Sequence, residues 1–269
     1  MDGREIRRRR LFGDGRAVII AIDHGLFDGP IAGMEDLPAT AGRINPDVDG
    51  VLLAPGMLRH CSEVFAGRRR PLAVVRLNWN SVYCFQWNYR LARSAYCYDV
   101  EDGLREGMDI PLVSLTLQTL SEERDAANVE LCAKLITRCH QFGLPVIGEY
   151  FPTGHADMSA ADLHENVKVG SRIIAELGAD AIKTFHTHRF AEVTRSCPVP
   201  ILGLGAEKLP TQLEALKLAE AEVKAGAGGV VFGRNAIQVP DPKAFQSALC
   251  EVVRQGAGAQ QAAAKHKLL

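Results

Sequence analysis

The chain has 269 residues, 47% of them hydrophobic, enough for one sizeable core and a common length for a single α/β barrel domain. A formal net charge of −1 points neither to nucleic acid nor to an anionic membrane surface as a partner. Seven cysteines (61, 84, 97, 132, 139, 197 and 250) are odd in number and nowhere spaced CxxC, which argues against a disulfide framework or zinc module and for a reducing, cytoplasmic setting.

The chain opens on a basic N-terminal arm, residues 1–12, whose run "RRRR" (Arg7 to Arg10) reads as a solvated face or a salt-bridged segment. No apolar leader stretch follows, and no run approaches the roughly 18 apolar residues of a membrane helix. Then come the apolar runs "AVIIAID" (17–23), "GVLLAP" (50–55) and "PLAVVRLN" (71–78). They are continuous rather than alternating, as expected of strands covered on both faces. An aromatic insertion, residues 79–98, breaks the rhythm with both tryptophans and four of the five tyrosines. After a third strand it would sit at a barrel mouth as a lid, a substrate wall or a subunit contact, with a self-packed loop as the plain alternative.

The alternation then resumes. Strands are predicted at 111–117, 145–151, 180–185, 200–205 and 228–233, and helices at 121–143, 159–178, 211–226 and 241–256. The helices at 121 and 159 begin with a Ser in a cap position, and all four end at a Gly stop. The tail 256–269, "GAGAQQAAAKHKLL", reads as flexible or weakly helical. Eight strand–helix repeats in one domain spanning 1–269 predict a (β/α)8 TIM barrel, with a doubly wound open sheet as the runner-up.

In such a barrel the strand C-termini face the site. Those ends carry Asp23, His24 and Gly25 on the first strand, Glu149, Tyr150 and Phe151 on the fifth, and Lys183 on the sixth. Gly205 and Ala206 follow the seventh strand, Gly233 and Arg234 the eighth. Glycine turns after the last two strands are where barrels commonly hold phosphate, and Arg234 adds a guanidinium suited to it. Lys183 stands in the otherwise apolar stretch "ADAIKTFHTH". Burial disfavours a charged amine, and a neutral amine attacks carbonyls to form a Schiff base. A structural lysine paired with a carboxylate such as Asp23 is the competing reading. Asp23 would take or hold the proton of a substrate hydroxyl, or else serve as a turn residue. His186 and His188 share a strand face opposite Lys183, a spacing compatible with two metal ligands but without an obvious third.

The stretches "AVIIAIDHG", "GADAIKTF", "GLGAEK" and "AGAGGVVFGRNAIQ" resemble the archaeal-type class I fructose-bisphosphate aldolases and their relatives, over about Gly15 to Arg254. Those relatives include aminodideoxyheptulosonate synthases and the aldolase-fold thiolase of autoinducer-2 breakdown. The resemblance implies a metal-independent, cofactor-free (β/α)8 lyase, with Lys183 as the imine former and Asp23 as the essential carboxylate. It also implies that Gly205, Ala206, Gly233 and Arg234 hold the phosphate of a small-molecule sugar phosphate, and that the protein is a homo-oligomer.

One stretch departs from that pattern. The bisphosphate aldolases carry Trp-x-Tyr-Pro-Arg-Gly after the fifth strand, and its tyrosine is the acid/base. Here "GEYFPTG" places Phe151 in the tyrosine slot and Thr153 in the arginine slot, which weakens the case for a second phosphate. Strand alternation puts Glu149 and Phe151 on one face and Tyr150 on the other. Glu149 then replaces the proton shuttle, unless a local shift brings Tyr150 in. The function expected is a class I Schiff-base aldolase acting on a phosphorylated keto-sugar. A metal-dependent barrel hydrolase using His24, His186 and His188, or a non-catalytic sugar-phosphate-binding barrel, would be the alternatives.

Overall fold

The computed structural model describes residues 2–13, 15–68, 70–89 and 91–269. Ten strands are described. Eight of them, β1 (Ala17–Ala21), β2 (Gly50–Leu53), β3 (Leu72–Arg76), β6 (Ile110–Leu115), β7 (Ile147–Tyr150), β8 (Ala181–Phe185), β9 (Ile201–Leu204) and β10 (Gly229–Phe232), close into a parallel barrel. The remaining two, β4 (Asn78–Asn80) and β5 (Ser94–Tyr96), form an antiparallel hairpin at the base of the aromatic insertion. The helices are α1 (Gly3–Phe12), α2 (Gly25–Asp28), α3 (Leu37–Gly42), α4 (Val100–Arg105), α5 (Glu122–Gln141), α6 (Ala160–Glu176), α7 (Phe190–Ser196), α8 (Gln212–Lys224), α9 (Arg234–Ile237), α10 (Pro242–Cys250) and α11 (Ala259–Lys265). The two anticipated Ser caps form: Ser121 accepts from Arg124 N and Ser159 from Asp162 N.

The period of two along each strand divides the core. Val18, Ile20, Val51, Leu53, Val75 and Ile182 pack outward against the helices, while Ile19, Leu52, Leu72, Val74, Leu112, Ile147, Ala181 and Leu202 fill the interior. Leu11 of α1 joins the interior set at the strand N-termini and plugs that end. The basic arm is thus a helix rather than a loose extension. Asp2 caps it, Glu5 pairs with Arg8 and Arg9, and Arg4 reaches Asp180 at 3.1 Å, so the salt-bridged reading holds.

The same alternation carried two residues further places Asp23, Arg76, Ser114, Glu149 and Lys183 above the apolar layers, at the strand C-termini. An apolar floor under an ionic layer is the frame on which the site is built.

Of the two readings of the tail, flexible or weakly helical, the structure takes the helical one and docks it. Residues 259–265 form α11, whose Ala262 and Ala263 are buried. Lys265 and His266 both pair with Glu251, and Gln212 donates to the Leu268 carbonyl. Small residues let this helix seat closely, and a run of alanines carries no amphipathic signal by which to recognise it.

Candidate active site

Arg76 organises the ionic layer. Its guanidinium donates from Nε to Asp23 Oδ2 at 2.7 Å, from Nη2 to Glu149 Oε2 at 2.5 Å, and from Nη1 to Ser114 Oγ. It is 1% exposed. A planar fork with donors in fixed directions is suited to holding two carboxylates apart. Glu149 accepts on its other oxygen from Lys183 Nζ, so the lysine's partner is Glu149 on the adjacent strand rather than Asp23. Two cations and two anions therefore balance inside the barrel. Burial alone would push both carboxyls up. The charges of Arg76 and Lys183 prevail, holding Asp23 below its ordinary range and Glu149 at about 2. Buried ionic networks of this kind are costly to assemble and weak evidence of stability, which directs attention to what they do.

The layer floors a cavity of about 320 Å³. On one side stand the turns after β9 and β10. Gly233 packs so closely against His24 that a Cβ there would lie 2.4 Å from the imidazole Cε1. Ala206 adopts a left-handed φ of 52°, uncommon for a residue with a side chain. Asn235 ties the two turns together, donating to the carbonyls of Gly205 and Glu207 and accepting from Leu209 N. Arg234 leans on the Ala206 carbonyl through Nη2 at 3.1 Å, and its buried Nε has no acceptor. The N–H of Gly205 donates to Val231 O, so Gly205 supplies the shape of its turn but no donor.

The opposite wall is aromatic. Phe27, Tyr83, Phe85, Phe151, His155 and Phe185 line it. The Phe151 ring lies 4.6 Å from Tyr83 and 4.8 Å from both His155 and Phe185. Tyr83 and Phe85 come from the aromatic insertion, part of which is therefore a wall of the cavity. Trp87 and Tyr89 stack on each other and stay exposed. Arg90 of this segment lies outside the described residues.

Tyr150 stands on the other face of β7, away from the cavity. Its hydroxyl donates to Asn166 Oδ1 at 2.6 Å, and its ring occupies the space a Cβ on Gly170 of α6 would need. His186 and His188 do not converge with His24. Their rings pack against Phe190 and His164, at 5.1 and 5.2 Å. Among the described residues no group of three His, Cys, Asp or Glu side chains has metal-holding geometry.

Sequence reasoning brought Asp23, Glu149 and Lys183 to this layer. It passed over Arg76 and Ser114, although an arginine inside the apolar run "PLAVVRLN" is the same kind of anomaly as Lys183. Tyr83 was included only within a segment, and Asn235 only within a turn.

Comparison with known proteins sets this geometry in a family context. A model of the DeoC/LacD family aldolases matches residues 17–239. An aldolase of Saccharolobus solfataricus is 29% identical over 264 residues, spanning 96% of each chain. A 3-hydroxy-5-phosphonooxypentane-2,4-dione thiolase of Klebsiella pneumoniae is 31% identical over 263 residues, 97% of this chain and 84% of that one. Among solved structures, an archaeal fructose-1,6-bisphosphate aldolase, with its catalytic lysine covalently bound to the carbinolamine intermediate, superposes with a TM-score of 0.76. It is 26% identical and covers 92% of this chain and 98% of its own.

Proposed function

The chain belongs to the DeoC/LacD family of aldolases, and from that premise we propose that it is a class I lyase that makes or breaks a C–C bond in a phosphorylated keto-sugar through an imine on Lys183. The observation that carries this reading is the Lys183–Glu149 pair, buried at the floor of the cavity beneath the β9 and β10 turns.

The chemistry follows from the contacts. An amine attacks a carbonyl only after losing its proton, and Glu149 Oε1 is the acceptor in contact with Nζ. The imine then withdraws electrons from the adjacent C–C bond. Asp23, kept ionised by Arg76, takes the proton of the hydroxyl on the departing carbon. Among the described lining residues the arginines and lysines are Arg76, Lys183 and Arg234. The first two are paired with carboxylates, which leaves Arg234 for an anionic substrate group. One phosphate, held by Arg234 and the backbone around Ala206 and Gly233, fixes the carbonyl over Lys183 and supplies the orientational part of the catalysis. Aromatic Phe85, Phe151 and Phe185 offer no second anion site.

The seven cysteines are all free, and among the described residues no helix is long and apolar enough to cross a membrane; a cytoplasmic setting belongs to this reading. A homo-oligomer is the assembly this reading expects.

Reductive trapping tests the reading. Incubation with ketose phosphates and borohydride, followed by peptide mapping, is expected to place the added mass on Lys183. A substrate that is turned over without an adduct, or with an adduct elsewhere, overturns it.

A further inference from the structure

An aldolase that works through an enamine must protonate the enamine carbon, and the side chain in the slot after Glu149 and Tyr150 is Phe151, which has no proton to give. Glu149 is engaged with Arg76, Ser114 and Lys183 and is ionised. Asp23 is held by Arg76. Tyr150 is on the far side of its strand. The need is unmet by β7, and the structure presents one other phenol at the cavity wall.

We propose that Tyr83, delivered by the insertion after β3, is the acid that protonates the enamine carbon; this rests on the Lys183 imine reading. Tyr83 is 7% exposed, lines the cavity, and its buried hydroxyl sits beside Ser114 and Glu149 without making a hydrogen bond of good geometry to either. A buried hydroxyl without a well-formed hydrogen bond is costly, and active sites are where such groups are tolerated. The ring is fixed between Phe27 at 4.7 Å and Phe151 at 4.6 Å. The Arg76 guanidinium lies 4.9 Å from the ring centroid, where it attracts the π face and stabilises a phenolate when one forms. Burial, together with the Glu149 carboxylate, raises the phenol well above its ordinary range, so it rests protonated. Phe151 and Tyr83 are in ring contact. The proton donor has therefore moved from a strand to a loop while serving the same side of the cavity.

The proton balance closes. Cleavage sends the C–C electron pair into the iminium, giving an enamine and an aldehyde, with the hydroxyl proton on Asp23. The enamine carbon takes the proton of Tyr83, leaving an iminium and a phenolate. Water adds to the iminium carbon, the phenolate recovers the proton that water gives up, and collapse of the carbinolamine releases the ketone and the amine of Lys183. At the start Glu149 gives the proton it took from the ammonium to the departing carbinolamine hydroxyl, which leaves as water and leaves Glu149 ionised; at the end the proton on Asp23 restores the ammonium of Lys183.

The test uses the whole protein with dihydroxyacetone phosphate as probe, comparing wild type with Tyr83→Phe. The change removes only a hydroxyl that makes no well-formed hydrogen bond, so thermal stability is expected to be retained. Borohydride trapping on Lys183 should persist. Exchange of solvent deuterium into the carbon beside the carbonyl should fall at least 100-fold. Equal exchange rates in the two proteins, or loss of the Lys183 adduct together with exchange, overturn the assignment of Tyr83. Failure of the wild type itself to form an adduct overturns the imine reading on which it rests.

Discussion

Lys183 and Glu149 are register partners on neighbouring parallel strands, and both side chains turn into the barrel to meet as a buried ion pair. The pair follows from backbone geometry: equal height on adjacent strands and a shared inward face bring the amine and carboxylate together before any substrate arrives. Glu149→Gln keeps the shape and removes the proton acceptor. Imine formation, followed by the rate of borohydride-trapped adduct, is expected to fall roughly 100-fold, in the range of general base losses. An unchanged trapping rate would remove Glu149 from the role of acceptor.

Arg76 holds Asp23 and Glu149 simultaneously, with Ser114 as its third partner. Replacing it by methionine leaves two buried carboxylates with only Lys183 between them. Uncompensated buried charge costs about 3–5 kcal/mol, so Arg76→Met should lower the urea midpoint severely. Arg76→Lys should not rescue it, because an ammonium cannot reach both carboxylates in fixed directions. A lysine variant as stable and active as wild type would argue against the fork as the organising element.

Much of this arrangement was legible in the sequence, because it rests on local patterns. Continuous apolar runs located all eight barrel strands, and Ser caps and Gly stops located the long helices to within a few residues. Ionisable residues embedded in apolar runs identified Asp23, Glu149 and Lys183. Arg76 carries the same signal and was absorbed into its run. The position of Tyr83 was not legible. It depends on the β4–β5 hairpin and on short helical turns that carry no periodic signature. Asn78 stitches the start of that hairpin to the barrel by exchanging hydrogen bonds with the backbone of Ser114. The tail was read only as flexible or weakly helical, because small residues pack by close approach rather than through a hydrophobic stripe.

Arg234 presents a buried Nε without an acceptor beside the turns that follow β9 and β10. A charge-assisted bond to phosphate is worth roughly 1.5–3 kcal/mol. Arg234→Gln should raise KM for a phosphorylated substrate about 10- to 100-fold, with a smaller change in kcat. Inhibition by inorganic phosphate should weaken in parallel. A larger loss for the phosphorylated substrate than for its dephosphorylated analogue is the discriminating result, and equal losses would remove Arg234 from the phosphate site.

His24 gives the fold a pH dependence of predictable sign. Burial, reinforced by the positive charges of Arg234, Lys183 and Arg76, lowers the imidazole from 6.5 to about 4, with Asp23 opposing. The unfolded chain binds a proton on this residue near pH 6.5, while the folded chain refuses it until about pH 4. The stability tied to neutral His24 is therefore complete above pH 6.5 and is lost progressively as the pH falls toward 4. Each unit of separation is worth about 1.4 kcal/mol, so the loss across this window is roughly 2–3 kcal/mol once partial exposure of the ring is allowed for. Carboxylates such as Glu149, held at about 2, lose their contribution only below their unfolded value near 4.5, so the two effects occupy different windows. His24→Asn is expected to flatten the fall in melting temperature between pH 6.5 and 4.5 while leaving the steeper acid limb in place. An unaltered slope in the upper window would show that the imidazole titrates freely in the folded protein.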